Sequence, residues 1–224
     1  MAGLSVEAQR VDVRWDPWEL LSGRLRVQQL QVADLTIEDR RPASAEPLQD
    51  LVLPWHFDIA LAVERLQWIG PPELRITDIR ARYGHDGLQH VLRVDSAQFA
   101  QGRYQGDASL LARAPLTLTL DVNGKFDVPL GPRKIPLDAR VTVRGPLARG
   151  TEPLHIVADL QPGATGAGPA AAAQAMRAHV RARILPWAPQ PVVDGQARYS
   201  QLDLSALWPG APRTRLSGEA HGEA

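Results

Sequence analysis

Histidines and carboxylates move protons and hold metals, so their placement comes first. His85 and His90 bracket the stretch HDGLQH, in which Asp86-Gly87 forms the centre of a tight hairpin turn. Two imidazoles across a turn are half of a metal site. An ion needs further ligands and a supporting shell, and the neighbouring sequence offers neither. The pair reads as two exposed, turn-flanking histidines. His56, His155, His179 and His221 are dispersed. Asp58, Asp95, Asp107, Asp121 and Asp159 fall on polar positions of alternating segments, where a solvated face needs them. No spacing selects two of them as a glycosidase pair. The segment GATGAGPA lacks the lysine of a phosphate loop, and no serine sits in a nucleophile elbow. With no cysteine, thiolate ligands and thiol nucleophiles are excluded. Trp15, Trp18, Trp55, Trp68, Trp187 and Trp208 suit a sugar platform or a lipid interface, and read first as apolar anchors at strand ends. The expectation is a protein that is not an enzyme, with no catalytic residue, metal or cofactor.

The elements that carry these residues are strands. Phe57, Ile59, Leu61 and Val63 alternate with polar or small neighbours, as do Leu116, Leu118, Leu120 and Val122. The same holds for Leu137, Ala139, Val141 and Val143, and for Met176, Ala178, Val180, Ala182 and Ile184. Period two puts every apolar side chain on one face and every charge on the other. Strands covered on both faces would instead read as continuous apolar runs. Helical pattern is confined to DPWELLSG, with Asp16 as cap, Pro17 at the first helical position and Glu19 closing a capping box, and to LDLSALWPG, Leu202 to Gly210.

The alternation also slips. Apolar spacing widens from two to three across Gln28-Gln29, Ala33-Asp34, Glu64-Arg65, Thr77-Asp78 and Ser200-Gln201. A slip of one residue turns all later side chains to the wrong face unless the backbone inserts a bulge or corner. These pairs are therefore expected to be corners or bulges that keep one apolar face continuous while the sheet bends. Polar or small-residue stretches at 38–50, 128–136 and 161–175 are expected loops.

Bulk composition narrows the partners. The 224 residues carry 25 Lys plus Arg and 25 Asp plus Glu, so the net charge is 25 − 25 = 0. A nucleic-acid binder carries a cationic excess to replace counterions, which argues against that class and against a polybasic membrane anchor. No apolar run approaches the ~18–20 residues that span a bilayer, and MAGLSVEAQRVDVRW lacks the layout of a signal peptide.

Two stretches carry a family resemblance. VDVRWDPWELLSGRLRVQQLQVADLTIE has an alternating strand, then Pro17, Leu20, Leu21 and Gly23 in a P-x-x-L-L-x-G turn, then Leu25, Val27, Leu30 and Val32 with the three-residue slip. It resembles the segment that follows the membrane anchor in AsmA-like proteins of the TamB type. LDLSALWPGAPRTRLSGEA, Leu202 to Ala220, is similar to a stretch of TamB-type proteins from bacteria of high genomic GC, an origin that two Lys against 23 Arg also fit. The resemblance covers both ends, and the middle only through its β pattern. It implies a periplasmic protein held by an inner-membrane helix and a TamA-like outer-membrane barrel partner. It also implies phospholipid movement between the membranes and assembly of outer-membrane and autotransporter proteins. Lacking anchor and C-terminal family domain, the chain would be an N-terminal portion of the periplasmic part.

Pattern and resemblance together give one expectation. The fold is all-β, an elongated, curled antiparallel sheet over residues 1–224, with an apolar concave face and one or two short helices. With roughly 12–14 strands about 4.8 Å apart it would run on the order of 60 Å. The groove-lining role falls on Phe57, Ile59, Leu61, Val63, Leu116, Leu118, Leu120, Val122, Val141, Val143, Val180 and Ile184, with phospholipid acyl chains as ligand. The alternatives are a scaffold that pairs client β-strands at a sheet edge, and a carbohydrate-binding or adhesin-like solenoid with a polar, Trp-rich concave face.

Overall fold

In a computed structural model the chain forms one sheet of twelve strands in sequential order. The structure describes residues 3–40, 50–70, 73–100, 102–130, 133–150, 152–163, 176–204 and 211–223. The strands are β1 (Leu4–Trp15), β2 (Arg24–Asp39), β3 (His56–Ile69), β4 (Leu74–His85), β5 (Gln89–Phe99) and β6 (Gly102–Leu111). They continue with β7 (Thr117–Leu130), β8 (Arg133–Pro146), β9 (Leu154–Pro162), β10 (Arg177–Ile184), β11 (Val192–Leu202) and β12 (Leu216–Glu223). The sheet does not close, so β1 and β12 are its edges. Pro17–Ser22 forms a short 3-10 helix whose start is capped by Asp16, the carboxylate accepting the Trp18 N–H at 3.0 Å. The second expected helix lies mostly at 205–210, outside the described residues.

One pairing departs from the expected antiparallel pattern: β2 and β3 run parallel. A parallel neighbour cannot follow a hairpin, so the chain must return to the end of the sheet where β2 began. Residues 50–55 complete that return, and the His56 N–H meets Gly23 O at 3.2 Å, seating the start of β3 beside the start of β2. The expected loop at 128–136 is mostly strand, for β7 and β8 pair from Val128 opposite Ile135 out to Leu130 opposite Arg133. Prolines at 129 and 136 made this hairpin end look like a loop.

Two of the slips in the sequence, at Gln28-Gln29 and Ser200-Gln201, are bulges, with two residues opposite one. Register shifts fall between Val27 and Leu30 and between Tyr199 and Leu202, with Gln201 at φ 54°. Another line of irregularity crosses neighbouring strands at one level: Arg10 (φ 53°), Ala33, Glu64 and Asp78 (φ 50°) are each skipped by the register. The apolar face continues on both sides: Val11 pairs with Val32 and Val32 with Val63 on one, and Ala8 pairs with Leu35 and Leu35 with Leu66 on the other. Because each strand is interrupted together with its neighbour, the sheet creases without turning its apolar side chains outward.

The polar face is a solvated lattice of ion pairs. Asp34 accepts from Arg65 at 2.5 and 2.8 Å and from Arg10 at 2.8 Å, tying β1, β2 and β3 together. The Arg65 hydrogen bonds, followed by that of Arg10, hold the Asp34 carboxyl below its ordinary range. Arg140 does the same for Asp121 across β8 and β7, at 2.6 Å. Such exposed pairs contribute little stability each and chiefly fix register.

Stability lies on the apolar face. Each strand packs against its neighbours in the sheet, and no second layer covers it among the described residues. Even so, Val63 is 2% exposed and Leu137 is 1% exposed. A single layer buries side chains this far where it curls towards that face, so the apolar side is the enclosed one. Close strand approach is required at Gly106, where an added Cβ would sit 2.5 Å from Asp121 O of β7.

Candidate functional site

Register carries the apolar face across the whole sheet. Starting at Trp15 on β1, the directly paired residues are Val27, Ile59, Tyr83, Leu92, Ala108, Leu120, Val143, Ile156, Ala182, Gly195 and Gly222. No charged or amide side chain interrupts this row. One step along the strands, the row from Val13 through Leu30, Leu61, Ala81 and Val94 runs on to Ala220 in the same way. The result is a trough with an apolar lining and a charged exterior.

Of the residues expected to line it, Phe57, Ile59, Leu61, Leu118, Leu120, Val122, Val141, Val143, Val180 and Ile184 lie on this face and are half-buried. Val63 shares the face but is buried in its floor beside Val32 and Ile79. Leu116 does not belong. It precedes β7 with φ 54°, is fully buried (0% exposed), and exchanges backbone hydrogen bonds with Arg113 and Leu147. Period two extended backwards from Leu118 reached a residue that the turn has already taken out of the strand.

The lining is not uniformly open. Phe126, Ile135, Leu137, Leu160 and Met176 pack into one cluster, supported by Val128, Ala139, Ala178 and Leu202. These residues occupy one end of strands β7 to β11, on the rim away from Trp15. There the protein fills its own trough. On β1 and β5 the lining is exposed, at Val11, Val13, Trp15 and Leu92. The row that begins at Trp15 passes beside the plug, so an apolar path continues along the other rim.

A strap lies across that rim at β4 to β6. The Leu51 N–H donates to Ala112 O at 2.7 Å, and the Ala114 N–H donates to Asp50 Oδ1 at 3.0 Å. Beneath the strap, the His85 and His90 rings stack with centroids 4.3 Å apart. Leu51 O can only accept, so His90 Nε2 donates to it at 2.8 Å, leaving Nδ1 to accept from the Tyr83 hydroxyl at 2.7 Å. His85 Nδ1 donates to Gln89 O at 3.1 Å, and its Nε2 accepts the Leu53 N–H at 3.4 Å. Neutral rings in opposite tautomers satisfy every bond. The Asp86-Gly87 turn forms as expected, with Asp86 Oδ1 accepting the Leu88 and Gln89 N–H groups and Gly87 at φ 86°. The histidines, however, are not exposed: His85 is 3% exposed and His90 is half-buried. Their partners come from the distant 50–53 segment, which no local spacing announces.

Removing the His85 ring should free the strap and leave the sheet. In His85→Ala the Leu53 N–H loses its acceptor, and the His90 ring that holds Leu51 O loses its stacking partner. A lost hydrogen bond of about 1 kcal/mol makes exchange of the Leu53 amide roughly fivefold faster. Hydrogen exchange with mass spectrometry reads this directly; unchanged protection at Leu53 would show that the strap is held elsewhere.

On the polar face a shallow cleft of ≈ 530 Å³ is lined by Asp95, Arg103, Lys125, Asp138, Arg140 and Asp159 among others. Its charges balance, and no indole lines it. Among the described residues no group of three or more His, Cys, Asp or Glu could hold a metal ion. No helix among them is long and apolar enough to cross a membrane. Compared with known proteins, the chain matches no family model, no curated protein and no solved structure.

Proposed function

We propose that the chain is a segment of a lipid conduit, a TamB-like, AsmA-type periplasmic protein that carries phospholipid between inner and outer membranes and supports outer-membrane biogenesis. The observation that carries this reading is the uninterrupted apolar row from Trp15 to Gly222, backed by a charged exterior. An acyl chain of about 16 methylenes gives up on the order of 13 kcal/mol of favourable transfer when drawn into water. A trough that is apolar at every strand replaces most of that loss at every point, so the chain can slide without a deep minimum or a high barrier. Such transport needs no catalytic group. Attachment to the inner membrane and a TamA-like partner belong to this proposal through the sequence resemblance.

The test sets two neighbouring substitutions against each other. Leu118 faces the lining, paired with Leu110 and Gly145, whereas Thr119 faces solvent between Ser109 and Arg144. Leu118→Asp should reduce bound phospholipid, read by native mass spectrometry, at least tenfold, and Thr119→Asp should leave it unchanged. Equal loading of the two variants would sink the proposal.

A second reading has its own observation. Both edges of the sheet, β1 and β12, present backbone that no other described strand pairs. A scaffold that adds client β-strands of outer-membrane or autotransporter proteins would use such edges. Crosslinks from β12 backbone positions to client polypeptide, with no phospholipid bound, would favour it.

A further inference from the structure

Outward of the Trp15 row, the register continues through Leu25, Phe57, His85, His90, Leu110 and Leu118. Two imidazoles interrupt this otherwise apolar row, and they stand where the 50–53 strap crosses it. An apolar pair would hold a passing segment by contact alone. Two histidines hold it by hydrogen bonds that depend on where the protons sit.

The two rings differ in what a further proton does. His90 Nδ1 accepts from the Tyr83 hydroxyl, and a hydroxyl that turns about its C–O bond can accept instead of donate. A proton on His90 Nδ1 therefore leaves the bond from Nε2 to Leu51 O intact. His85 has no such exchange. Its Nδ1 donates to Gln89 O, and its Nε2 accepts the Leu53 N–H, which can only donate. A proton on that Nε2 sets two donors against each other. The ring is 3% exposed and stacks 4.3 Å from a second imidazole, so the new charge finds neither water nor an acceptor until the strap lifts.

Neighbouring charges do not reverse this sign. Asp86 attracts a charged His85, but it is exposed and belongs to the turn that continues β4, so it attracts equally with the strap open or closed. Asp50 travels with the strap, and its carboxylate is turned to the Ala114 N–H beyond β6. His56 lies exposed against Gly87, away from the strap bonds.

We infer that His85 is an acid-sensitive latch: the neutral ring holds the 50–53 strap closed over the outer row of the trough, and one proton on Nε2 releases it. Closure is fully favoured above the titration range of histidine and is lost as the pH falls through it. Release uncovers the row between Phe57 and Leu110. Admission of an acyl chain there rests on the lipid-conduit reading, whereas the latch itself does not.

An imidazole that takes its proton only in the open state, at the ordinary value of about 6.5, raises the open population about tenfold between pH 7.5 and 5.5. Aspartates stay ionised over that range. The test is hydrogen exchange of the Leu51 and Leu53 amides, read by NMR on lipid-free protein. Each rate is divided by that of the Ala112 amide, which donates to Leu88 O and holds no part of the strap. The ratio cancels the pH dependence of exchange chemistry. It should rise about tenfold in the wild type. In His85→Gln, whose side-chain carbonyl can accept the Leu53 N–H and does not titrate, it should stay flat. In His90→Gln it should still rise. A flat wild-type ratio overturns the latch, and so does a rise that persists in His85→Gln or vanishes in His90→Gln. Should His85→Gln leave the strap open at every pH, the wild type and His90→Gln still decide the matter. Failure of the conduit reading, seen as equal phospholipid loading of Leu118→Asp and Thr119→Asp, leaves these exchange ratios unchanged.

Discussion

Leu137→Ala should lower the free energy of unfolding by about 3 kcal/mol, whereas Val13→Ala should change it by less than about 0.5 kcal/mol. Both residues face the same trough, so an evenly packed core would make the two costs similar. Leu137 is enclosed by Phe126 on β7 and Pro162 on β9 and belongs to the cluster with Ile135, Leu160 and Met176. Its truncation removes transfer energy and leaves a void that strands held in register cannot collapse into. Val13 stands on the edge strand 47% exposed, so its truncation removes little buried surface and encloses no void. Urea unfolding of the two variants reads the difference. Similar values would mean that the plug and the open edge are not distinct.

Stability and the proposed lipid path thus occupy different parts of one face. The cluster at one end of β7 to β11 anchors a sheet that has no second layer to pack against, and a sheet of this kind needs such an anchor. Where the lining stays exposed, at Val11, Val13 and Leu92, the protein leaves apolar surface in water. This surface costs stability and is accounted for if something else covers it. The plug does not interrupt the row from Trp15, because it sits towards the opposite rim.

Much of this was readable from residue order. The twofold alternation of Leu118, Leu120 and Val122 needs only a strand with one wet face, and the three-residue slips at Gln28-Gln29 and Thr77-Asp78 fall where the register skips. Local patterns decide both. The parallel pairing of β2 with β3 was not readable, since alternation is the same in parallel and antiparallel neighbours. The strap escaped for the same reason: it follows from that topology, and Leu51 and Leu53 find His90 and His85 only after the chain has doubled back. Leu116 was misplaced because periodicity does not register the left-handed turn that ends it. Nor does a pattern reveal which end of a trough its own side chains will fill; Met176 looked like one more member of a strand row, yet it lies just before β10 and is buried in the plug.

If lipid uses the exposed part of this face, its position is predictable residue by residue. A photoreactive phenylalanine analogue placed at Leu92 should crosslink to bound phospholipid, and the same group at Leu160 should give no adduct above background. Leu92 lies in the row from Trp15, between Tyr83 and Ala108, and is exposed. Leu160 lies on the same face between Ala139 and Ala178, but the protein already covers it. Asp107 provides the control on the outer face, well exposed among Arg93 and Asp121. An acyl chain against Leu92 gains about 0.8 kcal/mol for each methylene removed from water. To reach Leu160 it would first have to displace packed side chains that gain as much from each other. Mass spectrometry of the three adducts therefore separates a lipid seated in the trough from detergent-like adhesion to any apolar surface, which would label Leu92 no more than the bulk of exposed positions. Adducts at Leu160 equal to those at Leu92 would mean that the cluster opens to admit lipid, and the plug would then be a gate in the path instead of the anchor beside it.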